Sequence, residues 1–416
     1  MKIDFQSERG QAIVLLVLAM IGLLAFTALV IDGGMAFSER RNAQNAADAA
    51  ALSGALAKIN GGNFVQAALD SAANNGFSNS EKINVQVNSP PTSGDFAGQA
   101  EYIQVLITAE VETNFLHFVY NGQLRNTVEA VAHAKPKTIQ PAFMGNALVA
   151  LAPHGCAVMR SHGNANTTIH GGGIFDNSDD PNCAFELKGN AGNVDAPVLT
   201  IVGGFTGKTT PLGSTPLVVG YTPQIPYPPK LPIPQPKCTT DATTQGTSLT
   251  PGRVNGDFPP SGVNHLEPGI YCISGDFNLN GNDSLTGSDV LLYFQSGGNI
   301  TLNGNSTIQL SAKNTGQKGQ GAYPWDGLLI YVDPRNYVSY PNCNWKLNGT
   351  SDSSLVGSLY APTCDIELNG TAGTETYHSQ IVGYTIDLGG TQDLYMVYDS
   401  DENYFISNSP FIELSR

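Results

Sequence analysis

The chain has 416 residues, which leaves room for two or three domains with hydrophobic cores of their own. Only 13% of the residues are charged, the formal net charge is −15, and there are 46 glycines and 25 prolines, a composition typical of an exported, sparsely charged surface protein. This acidity, without clustered lysines and arginines, argues against a nucleic acid as partner.

The first predicted element is a membrane-spanning helix. Ala12 to Ile31 is an uncharged apolar run of twenty residues, and a helix of this length, at about 1.5 Å per residue, crosses the hydrocarbon core of a bilayer. The sequence has no second such run, so we expect a single anchor, with residues 1–11 as a cytoplasmic leader. A signal peptide is the alternative, because Lys2 and Arg9 precede the run. The run is longer than a usual signal-peptide core and no A-x-A-like site follows it, so we favour a retained anchor.

The helix is predicted to continue beyond the membrane, because Met35 to Ile59 is rich in alanine and other strong helix formers and lacks proline. Within this stalk, small residues recur at alternating steps of four and three. They therefore lie on one stripe of the helix, where a second helix or a sheet can approach closely. The members of the stripe are Ala43, Ala47, Ala50, Gly54 and Ala57.

A second helix and three strands complete the proximal unit, residues 32–135. Asn63 to Asn75 has the amphipathic spacing of a helix that ends near Gly76. Strand-like runs follow at Lys82 to Val87, Tyr102 to Val111 and Thr127 to Ala134, with a short apolar segment, Phe115 to Tyr120, between the last two. The sequence predicts an α+β unit in which the long helix packs on a small antiparallel sheet.

The residues around the apolar run resemble a known family. Arg9-Gly10-Gln11 precedes the run, Asp32-Gly33 ends it, and Gln44-x-x-Ala47-Asp48-Ala49-Ala50-Ala51-Leu52 follows. This order is similar to the N-terminal region of the TadG-like proteins of the tight-adherence (Flp) pilus system, over about the first third of the chain. The resemblance implies an envelope protein anchored by its N-terminus, exposed outside the cytoplasmic membrane, with pilins or other pilus-assembly proteins as partners. Some relatives carry a von Willebrand type A domain with an Asp-x-Ser-x-Ser metal motif, which this sequence lacks.

The same start is also similar to type IV pilin-like subunits. In these, a leader ending in glycine is cleaved, and a glutamate five residues later neutralises the new amino terminus of a neighbouring subunit. The fifth residue after Gly10 is Leu15, so a charged partner inside the apolar bundle is missing and a bulk polymerising pilin is disfavoured. A tip subunit has nothing stacked beyond it and less need of this contact, so it stays the alternative.

Six cysteines fall in the distal part of the chain, and none has the close spacing of a metal site. An even number in a chain that crosses a membrane indicates disulfides in an oxidising compartment. Six cysteines allow fifteen connectivities. We predict the sequential one: Cys156 with Cys183, Cys238 with Cys272, and Cys343 with Cys364. The chain is therefore expected to cross the cytoplasmic membrane once, N-terminus inside, with its C-terminal domain periplasmic or extracellular.

Beyond Lys135 a short unit repeats: an aromatic or branched apolar residue, a polar residue, leucine, and a turn with Asn or Gly. The copies begin at Phe185, Phe277, Ile300, Trp345, Ile366 and Ile386. The steps between central leucines from Leu279 onward are 23, 45, 21 and 20 residues, and we interpret 45 as two repeats. A period near twenty is typical of the stacked rungs of a parallel β-solenoid. An antiparallel β-sandwich is the alternative, although its hairpins give no reason for one phrase to recur at one spacing.

A proline-rich tract, residues 211–236, divides this mainly-β region into a first part, residues 136–210, and a second part, residues 237–416. Prolines at this frequency predict an extended, stiff segment. The tract either links the two parts or lies across the flank of one solenoid, and the sequence leaves this choice open.

Catalytic and metal-binding signals are weak, and we expect a non-enzymatic protein without a resident cofactor. His154, His162 and His170 are evenly spaced, but not at the i, i+4 spacing of a helical metal site. Two acidic clusters are candidates for Ca²⁺, although neither has the spacing of an EF-hand. They are Asp176, Asp179 and Asp180, and Asp399, Asp401 and Glu402. A polysaccharide-active solenoid, which needs paired carboxylates in a groove, stays an alternative, because carboxylates such as Asp326 and Asp333 are scattered along the chain.

Aromatic residues crowd a segment that interrupts the repeats. Tyr323, Trp325 and Tyr337 are candidates for contact with a partner protein or with the sugar rings of a surface polysaccharide. Tyr331 and Tyr340 lie in the same segment. The alternative is that these side chains seal an edge of the solenoid.

Overall fold

A computed structural model describes residues 9–115, 124–188, 192–208, 212–295, 297–303, 305–319, 321–336, 340–348, 352–370, 375–390 and 392–415. The chain divides into two compact units. Unit 1 contains Met1–Thr138 and Ser409–Arg416, and unit 2 contains Ile139–Asn408. The chain thus leaves unit 1 after Thr138 and returns to it at Ser409.

Unit 1 consists of two helices and an antiparallel sheet with the strand order β1-β2-β3-β32. Its elements are α1 (Arg9–Ile59), α2 (Phe64–Asn74), β1 (Ile83–Asn88), β2 (Tyr102–Val111), β3 (Leu124–Lys135) and the last strand of the chain, β32 (Phe411–Ser415). The predicted second helix and three strands are therefore confirmed. The fourth strand is new, because residues 411–415, assigned from the sequence to the second β part, pair with β3 instead.

Helix α1 is continuous over 51 residues. Neither Asp32 nor the Gly33-Gly34 pair interrupts it. Among the described residues it is the one helix long and apolar enough to span a membrane, and its apolar window has no side chains buried inside the protein. The predicted apolar span is thus part of one helix that continues into unit 1.

The C-terminal half of α1 packs on α2 and on one face of the sheet through small residues. Ala43, Ala47 and Ala50 are fully buried there, and Gly54 is buried as well. The stripe is wider than the sequence suggested, because three further alanines on the adjoining positions are also fully buried: Ala46, Ala51 and Ala55. Side chains of one carbon let the helix approach the sheet closely, which explains why so long a helix carries so little apolar bulk on this face.

Gly54 marks the point where α1, α2 and β2 meet. A Cβ at this position would lie 3.3 Å from the Cβ of Ala68 and 3.3 Å from the carbonyl oxygen of Phe64. It would also lie 3.5 Å from Ile103 Cγ2 on β2. Even a Cβ at this position would require its neighbours to shift by a few tenths of an ångström, and a larger side chain does not fit.

We predict that Gly54→Leu lowers the free energy of unfolding of unit 1 by about 1–3 kcal/mol or more, because the added side chain forces the two helices apart. Ala73→Leu, an equally large change at an exposed position of α2, is the matched control and should leave stability within about 0.5 kcal/mol. Denaturant unfolding of the full chain in detergent, followed by helical circular dichroism, measures both. Equal midpoints for the two variants would contradict the close packing at Gly54.

In the part of the chain that the structure describes, unit 2 is built mostly of short strands, with 3₁₀ turns at Ala142–Gly145 and Pro334–Asn336. In chain order the strands are β4 (Thr138–Pro141), β5 (Asn146–Ala150), β6 (Met159–His162), β7 (Thr167–His170), β8 (Gly173–Asp176), β9 (Phe185–Lys188), β10 (Val194–Asp195), β11 (Leu199–Ile201), β12 (Phe205–Thr206), β13 (Leu217–Val219), β14 (Thr244–Gln245), β15 (Ser248–Leu249), β16 (Gly252–Val254), β17 (His265–Leu266), β18 (Gly269–Ile273), β19 (Phe277–Leu279), β20 (Ser284–Gly287), β21 (Val290–Phe294), β22 (Ile300–Leu302), β23 (Thr307–Ser311), β24 (Leu328–Val332), β25 (Cys343–Asn348), β26 (Ser354–Val356), β27 (Ser358–Asn369), β28 (Glu375–His378), β29 (Ile381–Gly389), β30 (Leu394–Val397) and β31 (Phe405–Asn408).

These strands form two large sheets, and β4 pairs with β31 in a separate two-stranded sheet. The first large sheet has the order β10-β7-β30-β28-β26-β23-β20-β17-β15-β14, and the second has a main path β13-β11-β8-β5-β29-β27-β24-β21-β18-β16. A branch of the second sheet runs β12-β9-β6-β29-β27-β25-β22-β19, through the later halves of the long strands β27 and β29. Among the described strands of both large sheets, all pairings are parallel except β14 with β15. The antiparallel sandwich is therefore wrong for this unit, and neither sheet closes on itself.

The repeated phrases lie side by side in the branch of the second sheet. Their central leucines are direct register partners: Leu279 with Leu302, Leu302 with Leu347, Leu347 with Leu368, and Leu368 with Leu388. The interpretation of the 45-residue step as two repeats is wrong, because β22 pairs directly with β25. The additional residues belong to the two connections that flank β24, at 312–327 and 333–342.

The order of strands shows how the proline-rich tract is used. From β5 the chain moves stepwise to β13 at one end of the sheet, whereas from β16 at the other end it moves back to β29, which pairs with β5. The regions before and after the tract thus share the same sheets and do not form two domains. The tract is the connection that returns the chain from one end to the other.

We call residues 220–238 the strap. Its contacts follow the main path of the second sheet in order. The amide N–H of Ile225 donates to the Asn177 side chain at 2.6 Å, and the Tyr227 hydroxyl donates to the carbonyl oxygen of Pro362 at 3.0 Å. Further along, Ile233 is buried against the outer face of the sheet, and the strap ends at Cys238, bonded to Cys272 of β18. Of the two alternatives, the strap therefore lies across the flank.

Ile233→Ala should lower the free energy of unfolding of unit 2 by about 2 kcal/mol or more, because it removes a buried side chain from between strap and sheet. Tyr221→Ala is the control within the same strap, since Tyr221 is 91% exposed, and should be nearly neutral. Thermal unfolding of the two variants against the parent chain measures the difference. A neutral Ile233→Ala would mean that the strap does not hold the sheet.

Candidate functional site

The membrane-proximal turn of α1 carries a buried carboxylate. Asp32, 5% exposed, follows the apolar run directly, and its carboxylate accepts the backbone N–H groups of Asn114 and Phe115, both at 2.9 Å. One turn later, the Asn126 side chain donates to the carbonyl oxygen of Ala36 at 2.9 Å. A buried carboxylate is costly unless N–H donors replace water, and these donors do so. The end of β2 and the start of β3 are thereby fixed to the first helical turn after the apolar run.

The predicted packing residues Ala43, Ala47, Ala50 and Gly54 are occupied inside unit 1. They face α2 and strands β2 and β3, so they do not offer a free surface to a partner. Their role in the structure is to fix the stalk half of α1 to the sheet. In the part of unit 1 that the structure describes, the apolar half of the helix has no buried side chains.

The six cysteines form the three disulfides in the sequential order expected from the sequence. The first, Cys156–Cys183, joins the segments that precede β6 and β9, and the second ties the end of the strap to β18. The third joins β25 to β27, where Cys343 and Cys364 are register partners. Closing loops of this length stabilises a fold by a few kcal/mol each, on the order of the whole stability margin of a domain.

The first acidic cluster does not converge on one point. Asp176 is fully buried and accepts backbone N–H groups of Ser178 and Met159, while Asp179 faces out and lies 2.7 Å from His154. Asp180 accepts the backbone N–H groups of the turn that leads to Cys183. Over the described residues, the one group of three metal-ligand side chains within reach of each other is Cys156, Asp180 and Cys183, whose cysteines are disulfide-bonded.

The second acidic cluster is a turn. The Asp399 carboxylate accepts the backbone N–H of Asp401 at 2.8 Å, and Glu402 lies 3.7 Å from His378. The three candidate histidines are also apart: His154 is beside Asp179, His162 lies 2.8 Å from Asp387, and His170 is exposed at the end of β7. Neither set of residues forms a common ligand face.

Burial raises the pKa of the Asp176 carboxyl to about 7, although the N–H groups of Ser178 and Met159 oppose the shift. Since the pKa in the folded state lies above that of the unfolded chain, the group's contribution to stability is complete below the ordinary value of 3.8 and is lost as the pH rises through 7. The parent protein should therefore lose stability as the pH rises from about 3.8 to about 7, and we predict that Asp176→Asn removes this loss.

Unfolding free energies measured at several pH values test this. The advantage of Asp176→Asn over the parent should grow with rising pH, by at most about 1.4 kcal/mol per pH unit. The control is Asp195→Asn, on the exposed side of β10, whose profile should follow that of the parent. Parallel profiles for Asp176→Asn and the parent would show that this carboxyl is ionised throughout.

The aromatic candidates are half-buried beside the strap. The Trp325 ring packs edge-on against Tyr323 with 5.5 Å between centroids, and its indole N–H donates to the carbonyl oxygen of Pro234 at 2.7 Å. The Lys313 ammonium lies 5.2 Å from the centre of the Tyr323 ring. Tyr337 lies outside the described residues. The neighbouring Tyr331 is buried between Tyr293 and Tyr360, so this ring seals the outer face of the sheet beneath the strap.

The carboxylates Asp326 and Asp333 are also internal. Asp326 is buried and accepts the backbone N–H and the hydroxyl of Thr315. Asp333 is fully buried and lies 2.7 Å from the Arg335 guanidinium. Burial tends to raise its pKa, but the hydrogen bonds and positive charge of Arg335 outweigh this effect and hold the pKa below its ordinary value. Both residues act as structural partners, and neither lines an open groove.

One charged surface was missed by the sequence analysis. A groove of about 380 Å³ crosses β25, β27, β29 and β6 on their outward side. Its charged side chains are register partners in the order Lys346, Glu367, Asp387 and Arg160. The signal was present for three of them, because Lys346, Glu367 and Asp387 are each the polar residue between the two apolar residues of a strand. It could be used only once the repeats were known to stack in register.

Within this groove the charges are arranged in pairs. The Arg160 guanidinium binds the Asp387 carboxylate, and Lys346 lies 3.7 Å from Glu367. Burial raises the pKa of the Asp365 carboxyl, although the Thr385 hydroxyl donates to it at 2.5 Å. The groove therefore holds one carboxylate paired with a guanidinium and a second carboxyl whose pKa is raised by burial.

Residues 10–57 match a family model, Tad, described as Flp pilus-assembly TadE/G-like. The matched residues lie in α1 and include the apolar run, Asp32 and the buried small-residue stripe. The match confirms the resemblance for the N-terminal part of the chain. Comparison with curated proteins gives no match, and comparison with solved structures gives none.

Proposed function

We propose that the chain is a single-pass, membrane-anchored envelope protein of the Flp pilus system, which presents a rigid β domain outside the cytoplasmic membrane. The observation that carries this proposal is the coincidence of the family match with α1, whose apolar window has no side chain buried in the described part of the protein. Nothing in the described part of the fold covers these side chains, so a bilayer is the environment that suits them.

The three disulfides support the orientation. They all lie in unit 2 and close it by covalent links that persist in an oxidising compartment and are rare in the cytosol. We therefore place residues 1–11 in the cytoplasm, and we place unit 2 and the part of unit 1 that follows the apolar run beyond the membrane, in the periplasm or at the cell surface.

In this proposal unit 2 is a parallel β-solenoid, with the strap along its flank. Its support is the set of parallel ladders and the stacking of one phrase in register over five successive strands. A solenoid of this kind is stiff because each rung is held by its neighbours. The protein acts by presentation rather than catalysis: it binds pilus components or a substratum through the solenoid's outer faces.

Two deletions test this function in the source bacterium. Removing the whole chain should reduce piliation or surface attachment. Replacing residues 139–408 by a short Gly/Ser linker should leave unit 1 in the membrane, because unit 1 has its own core, but should reduce attachment as the full deletion does. Unchanged piliation and attachment in both strains would sink the proposal.

A pilin-like tip subunit is distinguished by the N-terminus. Cleavage after Gly10 would start the mature chain at Gln11, ready to enter a helical bundle, whereas a retained leader keeps Lys2, Asp4, Glu8 and Arg9 on the cytoplasmic side and opposes extraction. We expect the leader to be retained. N-terminal sequencing of protein from membranes and from sheared filaments decides, since a Gln11 start in the sheared fraction would favour the tip subunit.

The charged groove favours a second candidate, a site that binds or cleaves a polysaccharide. Carboxylates in unlike environments, such as Asp365 and Asp387, are what glycoside hydrolysis requires. Incubation of the chain with acidic and neutral polysaccharides should release no reducing ends if the protein only presents a surface. Release that is abolished by Asp365→Asn, and retained by the exposed-site control Asp195→Asn, would instead establish the enzyme.

A further inference from the structure

We propose that unit 1 makes a second contact with the lipid bilayer, through a surface that surrounds α1 where the apolar run ends. This surface, the membrane collar, consists of Met35, Phe37, Asn114 and Phe115. The inference rests on the proposed membrane anchor and adds to it a defined depth for unit 1, with part of the folded unit in the headgroup region.

Three of the four collar residues are apolar side chains that the fold leaves uncovered. Phe37 is 73% exposed, Phe115 is 41% exposed and Met35 is 40% exposed, although all three belong to a unit with a well-formed core. The Asn114 amide lies 3.0 Å from the sulfur of Met35, which places the strand end directly against the helix. Large apolar side chains left exposed at one end of a folded unit indicate a contact surface.

Asp32 fixes the depth of this surface. The run from Ala12 to Ile31 fills the hydrocarbon core, at about 30 Å, and the interfacial region adds about 5–7 Å on each side. Residues 32–35 rise by about 6 Å and so lie within that region, with Phe37 just beyond it. Because the Phe115 amide donates a hydrogen bond to Asp32 itself, the Phe115 ring is held at the boundary between hydrocarbon and headgroups. Trp and Tyr are enriched at this level in membrane proteins, and Phe is found with Trp and Leu on the apolar face of helices that lie in the interface.

The charges of unit 1 lie just beyond the collar, as a headgroup contact requires. Arg40 and Arg41 are exposed on α1 in the two positions after Glu39. At the same end of the sheet, Lys82 pairs with Glu112 at 3.1 Å and Arg125 pairs with Glu110 at 2.9 Å. The sequence of apolar run, aromatic collar and charged band is the order in which a bilayer changes from hydrocarbon to water.

The bilayer is the occupant that the geometry favours, because the collar is continuous with the apolar run that the anchor places in lipid. Elsewhere on unit 1, Phe411 offers an informative contrast. Its exposed fraction, 42%, is nearly the same as that of Phe115. Phe411 is the register partner of Lys135, at the end of β3. Phe115 instead follows Val111, which is the register partner of Leu124 at the start of β3. Phe411 thus lies at the opposite end of the sheet, about 30 Å away along the strands.

Tryptophan probes in full-length protein, reconstituted in phosphatidylcholine nanodiscs, test the collar. Phe115→Trp is the probe, Phe411→Trp the matched control and Leu24→Trp the marker for the anchor. The fluorescence of the parent, which comes from Trp325 and Trp345, is subtracted from that of each variant to give the emission of the added tryptophan. The measurement is the fraction of this added emission that is lost when the acyl chains are brominated near the headgroup. We expect the added emission of Phe115→Trp and Leu24→Trp to be mostly lost and that of Phe411→Trp to be retained.

Each other outcome decides against the collar. Quenching at Leu24→Trp without quenching at Phe115→Trp overturns it while leaving the anchor intact, and the exposed surface would then be assigned to a protein neighbour such as a pilus subunit. Equal quenching at Phe115→Trp and Phe411→Trp would mean that unit 1 has no fixed depth. Loss at none of the three positions removes the anchor as well. If Phe115→Trp changes the circular dichroism of the chain, Phe37→Trp replaces it, since Phe37 makes no contact with the core.

Discussion

The parallel register of the repeated phrase is the constraint on which unit 2 depends. Each strand is only three to six residues long over most of the unit, too short to be stable by itself, and its inward apolar pair is covered only if the next copy lies beside it without a shift. The ladder from Leu279 to Leu388 meets this condition. The same register that aligns leucines inside aligns the charged residues outside, so the groove with Arg160 and Asp387 is a by-product of core packing.

Local patterns in the sequence were sufficient for unit 1 and for the repeat. The apolar run and the alanine-rich stalk of α1, like the strand-like run of β2, are properties of neighbouring residues, and the structure has both elements where the patterns place them. Patterns of this kind do not reveal partners that are far away along the chain. Three pairings depend on tertiary packing: β32 with β3, β5 with β29, and Leu302 with Leu347. The connections between these partners can be long at little cost in free energy, so the spacing along the chain does not indicate the pairing.

The candidate surfaces show the same division. The cysteine pairing agrees with the simplest reading of the sequence, because neighbouring rungs bring successive cysteines together. The aromatic residues near Trp325 were recognised as a group from the sequence. Whether they face outward depends on the strap, because the indole N–H of Trp325 donates a hydrogen bond to the carbonyl oxygen of Pro234 in the strap. Asp32 was noted only as part of a motif. Its partners, Asn114 and Phe115, are some eighty residues away in the chain, and no local signal connects them.

The place of β5 in the sheet has a consequence for biosynthesis. This strand is among the first of unit 2 to be made, yet its neighbour β29 is among the last, and β32 of unit 1 follows later still. An open edge therefore persists at β5 until residues 381–389 have been synthesised. The two units cannot be completed one after the other as the chain emerges, because each needs strands from near the C-terminus. Unpaired strand edges therefore stay exposed until nearly the whole polypeptide has been made, and in that interval they are open to pairing with other chains.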